Sequence, residues 1–213
     1  MAGYKPTSER MEITMINADL GHVVDLRQFN EEINAFEFDY QYHFNTQAHG
    51  DNYCDIHDAI RKYMPECKSY VELGTHQGGT ASTAMLCNPS KITLVDIDFS
   101  RYRKFLAPIA QKYCQENNIQ LNIIEKDSSS IGTASLTDML VIDSLHQPSH
   151  MKKELSMHGF NTRKYIIAHD TSIVNGMANE SLFICLREYA DSNGWVVVER
   201  GTENVGYTVL KRV

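Results

Sequence analysis

The chain changes its hydrophobic rhythm near residue 67. Beyond that point, short apolar runs rich in β-branched residues alternate with longer stretches in which apolar residues recur at helical spacing. The predicted strands are Ser69–Leu73, Ile92–Ile97, Gln120–Ile124, Met139–Ile142, Tyr165–Ala168, Trp195–Glu199 and Gly206–Leu210. The predicted helices are about Asp55–Met64, Thr80–Cys87, Arg101–Glu116, a segment that begins at Pro148, and Glu180–Tyr189.

Alternation of strands with helices indicates right-handed crossovers and parallel pairing. The last two strands are joined only by Gly201–Asn204, a connection short enough for a hairpin. The predicted fold is therefore α/β: a Rossmann-like, doubly wound, seven-stranded sheet, mostly parallel, with a C-terminal antiparallel hairpin and helices on both faces. In such sheets ligands bind beyond the carboxyl ends of the strands.

Two details refine these boundaries. Ser100 is the predicted N-cap of the third helix. Pro108 within that helix predicts a kink or a late start. From Met1 to about Asp51 the chain lacks the regular rhythm, and the alternating segment Phe36–Phe44 resembles a strand without a clear partner. We interpret 1–54 as an N-terminal arm that covers an acceptor site, and 55–213 as the ligand-binding domain.

Composition narrows the class of protein. Of 213 residues, 42% are hydrophobic and 22% charged, which excludes a wholly disordered or collagen-like chain. The net charge of −7 disfavours nucleic acid and anionic membrane as partners. The five cysteines include no CxxC pair, so neither a disulfide framework nor a structural zinc site is expected. Without an apolar leader or a spanning segment, a soluble cytoplasmic protein is expected.

A glycine-bearing turn follows the first predicted strand. Gly74 and the pair Gly78-Gly79 are four residues apart, whereas nicotinamide and flavin fingerprints place their first two glycines two apart. Asp96 ends the next strand, where an acid can accept hydrogen bonds from both ribose hydroxyls of an adenosine. Asp127-Ser128 follow the third strand and can reach an adenine edge.

The stretch from Glu72 to Thr80, followed by Asp96 and then Asp127-Ser128, resembles the cofactor site of class I S-adenosylmethionine-dependent methyltransferases. The resemblance implies that Glu72 and Gly74 line the methionine end, that Asp96 holds the ribose, and that Asp127 and Ser128 border the adenine. The alternative interpretation is a turn that only packs a helix on a strand. The cofactor-binding residues expected from the resemblance are Glu72, Gly74, Thr75, Gly78, Gly79, Asp96, Asp127 and Ser128.

A second group of polar residues follows the fourth and fifth strands. Asp143, His169 and Asp170 are expected at one rim of the sheet, and two carboxylates with an imidazole can bind a divalent cation. Such an ion lowers the pKa of a substrate hydroxyl. His146, three residues after Asp143, has an ordinary pKa near neutrality and can accept the departing proton. The competing interpretation gives at least one of these residues a purely structural role.

The segment Ile142-Asp143-Ser144-Leu145-His146 resembles metal-dependent O-methyltransferases: the catechol type, and more closely the branch of macrolide-sugar methyltransferases and cephalosporin-hydroxylase-like proteins. The resemblance implies Asp143 and Asp170 as metal ligands and His146 as the general base. His169 departs from the acidic pair of that branch. Because magnesium prefers oxygen ligands, either the ion is softer, such as manganese or iron, or His169 points away.

The remaining histidines are placed by context. His150 and His158 are predicted at the surface, while His76 in the glycine turn and His43 and His49 in the arm can face a ligand. The function expected is O-methylation of a small hydroxylated acceptor, such as a sugar or polyol, with S-adenosylmethionine and a divalent metal (Mg or Mn). Related enzymes often dimerise, so a homo-oligomer is compatible with this expectation. Two alternatives are a non-catalytic S-adenosylmethionine-binding regulatory or assembly protein, and an oxidoreductase, which the glycine spacing disfavours.

Overall fold

The computed structural model describes residues 14–17, 22–25, 54–132, 135–174, 177–203 and 205–213. Its strands are β1 (Thr14–Asn17), β2 (His22–Asp25), β3 (Ser69–Leu73), β4 (Lys91–Asp96), β5 (Gln120–Glu125), β6 (Thr137–Ile142), β7 (Thr162–His169), β8 (Ile173–Val174), β9 (Met177–Ala178), β10 (Trp195–Gly201) and β11 (Tyr207–Arg212). Its α-helices are α1 (Cys54–Tyr63), α2 (Gly79–Leu86), α3 (Ser100–Phe105), α4 (Ala107–Glu116), α5 (Pro148–His158) and α6 (Ser181–Asn193).

Seven strands form the main sheet, in the order β10-β11-β7-β6-β3-β4-β5. β3 lies between β4 and β6, and the pairs among β3 to β7 are all parallel. β11 is antiparallel to both β7 and β10. The predicted sheet is therefore confirmed, including the C-terminal hairpin. Its strand order reverses beside β3, so the carboxyl ends of β3, β4 and β6 surround the crevice in which a ligand is expected.

The central strands carry apolar residues on both faces because helices cover both. On one face, Tyr70 packs in a core with α1 and α2. On the other face, Val71 packs with Met151 of α5 and Leu186 of α6. Every residue of β3 is buried, including the acidic Glu72. Burial from both sides explains why β6 and β7 contain the continuous apolar runs Met139–Ile142 and Tyr165–Ala168 instead of alternating residues.

The helix predicted over Arg101–Glu116 is two helices, α3 and α4, that meet at Leu106. The interruption expected at Pro108 is confirmed, since proline lacks the amide that would continue the helical hydrogen bonds. The prediction that Ser100 is the N-cap is wrong, because Ser100 is the first helical residue. The side chain of Asp98 instead accepts a hydrogen bond from the Ser100 amide at 2.7 Å.

Most of the predicted arm, including Phe36–Phe44, His43 and His49, lies outside the described residues. In the described part of the arm, β1 and β2 pair antiparallel. No helix in the described ranges is both long and apolar enough to cross a bilayer. The cysteines at 67, 87, 114 and 185 are unpaired thiols.

Candidate active site

A cavity of about 490 Å³ opens at the carboxyl edge of the sheet. This volume lies in the range of small-molecule sites. The predicted residues that line it are Gly74, Asp96, Asp127, Ser128, Asp143, His146, His169 and Asp170. The structure therefore brings the cofactor-like motif and the acid–histidine group into one cavity.

The glycine turn joins strand ends closely. Gly74 has φ +87°, and a Cβ there would lie 2.2 Å from the backbone oxygen of Asp143. Gly78 has φ +93°, and a Cβ there would lie 2.4 Å from Cδ2 of Leu106. Both positions require glycine, because of the left-handed backbone and the close approach. The two contacts involve the protein itself, so packing accounts for these glycines whether or not a ligand is bound.

Asp96 holds this turn in place. Its Oδ2 accepts hydrogen bonds from the amides of Thr75 and His76, both at 2.7 Å, and its Oδ1 accepts one from the amide of Asp98 at 3.0 Å. Asp96 also lines the cavity. Because a carboxylate has about four acceptor positions, ligand hydroxyls would share this group with the turn.

Four of the predicted cofactor residues do not line the cavity: Glu72, Thr75, Gly78 and Gly79. Glu72 is fully buried and accepts a hydrogen bond from the Tyr70 hydroxyl. Burial raises the pKa of Glu72 to about 8, although hydrogen bonds from Tyr70 and Thr80 oppose the shift. The role of Glu72 at the methionine end of a cofactor remains a prediction.

The second group forms a compact cluster. Nδ1 of His169 lies 3.2 Å from Oδ1 of Asp143 and 3.4 Å from Oδ2 of Asp170. Candidate ligand atoms of these three residues all lie within 4.8 Å of one another. Nε2 of His146 lies 3.1 Å from Oδ2 of Asp170 and 3.5 Å from Oδ1 of Asp143. His169 therefore faces the carboxylates and does not point away.

Charge is unevenly distributed within this cluster. Burial acts to raise the pKa of Asp143, but the imidazoles of His169 and His146 outweigh it and hold that pKa below its usual range. Burial raises the pKa of Asp170. A hydrogen bond to Asp143 raises the pKa of His146. The histidines thus favour the charged form of Asp143, whereas burial disfavours the charged form of Asp170.

The backbone of Asp170 is also unusual. Its φ is +54°, an uncommon value for a residue other than glycine. Such conformations cost free energy and cluster at functional sites. The donor set of the cluster, carboxylates with imidazole, fits a divalent first-row transition metal better than it fits magnesium.

Two surface predictions are wrong. His158 is 1% exposed, and its Nε2 lies 2.9 Å from the backbone oxygen of Ser128. The His150 side chain is 14% exposed and lines the cavity. Both face inward because α5 packs against the segment that follows β5. The spacing of His150 and Glu154, with Glu154 beside the buried Leu155, is a signal that was available in the sequence.

Ser144 also lines the cavity. It is not among the predicted site residues, although it lies within the Asp143–His146 motif. His76 lines the cavity as well, in agreement with the interpretation that it can face a ligand.

No known family profile matches the chain, and no curated protein sequence matches it. Similar folds are found among solved structures. The N-methyltransferase NodS from Bradyrhizobium japonicum WM9, in complex with S-adenosyl-L-homocysteine, is 12% identical with a TM-score of 0.50, over 84% of this chain and 98% of that one. A Klebsiella pneumoniae protein provisionally assigned as an O-methyltransferase is 13% identical with a TM-score of 0.52, over 87% of this chain and 92% of that one.

The Bacillus subtilis tRNA methyltransferase TrmK is 11% identical with a TM-score of 0.50, over 74% of this chain and 65% of that one. At these identities the likeness concerns the fold. The chain thus has the Rossmann-like fold that these methyltransferases share.

Proposed function

We propose that the protein is an S-adenosylmethionine-dependent methyltransferase that methylates a hydroxyl of a small acceptor with the help of a divalent metal. The observation that carries this proposal is the single cavity that joins Asp96 and Ser128 to the cluster of Asp143, His146, His169 and Asp170. The fold shared with NodS, which was solved with S-adenosyl-L-homocysteine, supports the choice of cofactor.

The cofactor half of the cavity orients the adenosine. Asp96 offers its carboxylate to the ribose hydroxyls, while the amides that it already binds keep the turn fixed. Asp127 and Ser128, which line the cavity on the neighbouring segment, would border the adenine. Methyl transfer is an in-line displacement, so alignment of the sulfonium with the acceptor is the main task of these residues.

Asp143, His169 and Asp170 would hold the divalent ion. When bound, such an ion lowers the pKa of a nearby hydroxyl and helps to orient it. Because His169 contributes an imidazole, manganese or iron is a better match than magnesium.

His146 would accept the proton of the acceptor hydroxyl. It lines the cavity beside the two carboxylates, whose negative charge favours the imidazolium that forms when the proton arrives. Its contact with Asp143 also orients the ring.

A thermal-shift titration with S-adenosyl-L-homocysteine, with and without Mn²⁺ or Mg²⁺, tests the proposal. Ligand that binds only the folded chain raises the melting temperature by mass action. We expect stabilisation by S-adenosyl-L-homocysteine, and a further increase with Mn²⁺ that exceeds the increase with Mg²⁺. No stabilisation by the cofactor product would contradict the proposal. Stabilisation without methylated product from a broad panel of hydroxylated acceptors would favour a non-catalytic binding protein.

A further inference from the structure

A buried carboxylate lies directly behind the wall of the cavity. Glu154 on α5 is fully buried and is not itself a lining residue. Its Oε1 accepts hydrogen bonds from the hydroxyls of Ser128 at 2.5 Å and Ser144 at 2.6 Å. Both serines line the cavity, and they follow two different strands. One buried acid therefore fixes two hydroxyls of the wall.

His150 belongs to the same network. Its Nε2 lies 3.2 Å from Oγ of Ser128 and 3.3 Å from Oε1 of Glu154. The imidazole of His150 therefore lies against both the Ser128 hydroxyl and the carboxylate oxygen that accepts the proton of that hydroxyl.

This network fixes the polarity of the wall. A serine hydroxyl has one proton and two lone pairs. Because Glu154 takes the proton of Ser128 and of Ser144, both hydroxyls present only lone pairs to the cavity. Such a wall pairs with a hydrogen-bond donor on the ligand and leaves an acceptor unpaired.

We propose that Glu154 is a positioning residue that makes this wall select an amino group over a carbonyl on the bound base, and hence adenine over hypoxanthine. The inference rests on the proposed function, because the base in question is that of the cofactor. The exocyclic amino group of adenine donates, whereas hypoxanthine has a carbonyl oxygen at the same position. An acceptor that faces Ser128 would remain unsatisfied, which costs affinity.

Isothermal titration with S-adenosyl-L-homocysteine and with its deaminated analogue, S-inosyl-L-homocysteine, tests this selection. The intact wild-type chain is expected to bind the adenosyl compound at least about tenfold more tightly. In Ser128→Ala, and in Glu154→Leu, which frees the serine protons to rotate, the ratio of the two affinities should fall to near unity. Glu154→Gln keeps an acceptor oxygen at the same place and should retain the wild-type preference.

The ratio of the two affinities distinguishes a loss of positioning from general damage to the fold, because general damage would weaken the binding of both ligands alike. Ser130→Ala is the matched control, since Ser130 lies in the same segment, donates to the backbone oxygen of Asp127 and does not line the cavity. Its ratio should equal that of the wild type.

A wild type that binds both compounds equally would overturn the inference, and so would an unchanged ratio in Ser128→Ala and Glu154→Leu. Either result leaves the proposed methyltransferase intact. A wild type that binds neither compound overturns the proposed function itself, and the inference with it, in the first titration.

Discussion

At the scale of single residues, two glycines with the same backbone conformation have different surroundings. Gly74 and Gly194 have φ of +87° and +71°, but a Cβ at Gly74 would overlap the backbone of Asp143, whereas a Cβ at Gly194 would meet nothing within 4 Å. Gly194→Ala should cost about 1–2 kcal/mol of unfolding free energy, for backbone strain alone. Gly74→Ala should cost clearly more, because β3 and β6 must separate. Urea denaturation of both variants measures the difference, and equal losses would show that the close approach is unimportant.

His57 gives a pH dependence at the same scale. Burial lowers the pKa of His57 to about 3. The folded chain therefore keeps His57 neutral at pH values at which the unfolded chain, in which its pKa is 6.5, binds a proton. Its contribution to stability is therefore complete above pH 6.5 and is lost as the pH falls towards 3, by about 1.4 kcal/mol per pH unit. In His57→Gln, the free energy of unfolding should fall less steeply between pH 7 and 5. Parallel curves for variant and wild type would refute this assignment.

At the scale of elements, the end of β4 both supports the glycine turn and faces the cavity. Asp96→Ala removes the acceptor for the amides of Thr75 and His76, so stability and affinity for S-adenosyl-L-homocysteine should both fall. Asp96→Asn keeps an acceptor oxygen for the amides of Thr75 and His76 but loses the charge and the acceptor for the Asp98 amide, so it should lower affinity while lowering the melting temperature less than Asp96→Ala does. Asp98→Asn, beside it but outside the cavity lining, is the control for affinity. Equal affinity of Asp96→Asn and wild type would exclude Asp96 as a ligand group.

A substitution in the loop after β6 should reduce the rate of methyl transfer without reducing the affinity for the cofactor product. His146→Ala is expected to leave affinity for S-adenosyl-L-homocysteine near that of the wild type and to reduce the rate of methyl transfer by about 10²–10⁴-fold, the usual contribution of a general base. Calorimetry and a methylation assay on the same preparation measure the two effects. If His146→Ala and Asp96→Ala lose affinity to the same extent, the division of labour between the two halves of the cavity is wrong.

The elements themselves were predictable from the sequence, whereas the partners of several side chains were not. Burial on both faces gives β6 and β7 continuous apolar runs, and Pro108 marks the break between α3 and α4. The surface prediction for His150 and His158 is wrong because the contact of α5 with the segment after β5 is a tertiary contact, of which the sequence offers only one sign, the spacing of His150 and Glu154. Glu72 has a clear place in the sequence motif, yet alternation along β3 directs it into the core beside Tyr70.

At the scale of the whole molecule, the described cavity is built from one continuous region. Every described residue that lines it lies between Gly74 and Asp170, and in the N-terminal region residues 1–13, 18–21 and 26–53 are outside the description. The sheet brings these residues together from five parallel strands, which explains why sites far apart in sequence form one cavity. We interpret residues 1–54 as a cover for the acceptor. On this interpretation, residues 1–54 contribute to methyl transfer, and residues 55–213 bind the cofactor.

Deletion of residues 1–50 tests that assignment, since it leaves α1 and the whole main sheet in place. The shortened chain should bind S-adenosyl-L-homocysteine as the intact chain does, because the lining residues described for the cavity are all retained. Methyl transfer should be lost or greatly slowed, since water would enter an uncovered acceptor site. Calorimetry measures the first property and a product assay the second, with circular dichroism as the check that the sheet remains folded. A folded, shortened chain that transfers methyl groups at the intact rate would show that the arm does not cover the acceptor, whereas a folded chain that no longer binds the cofactor product would show that the arm belongs to the cofactor site.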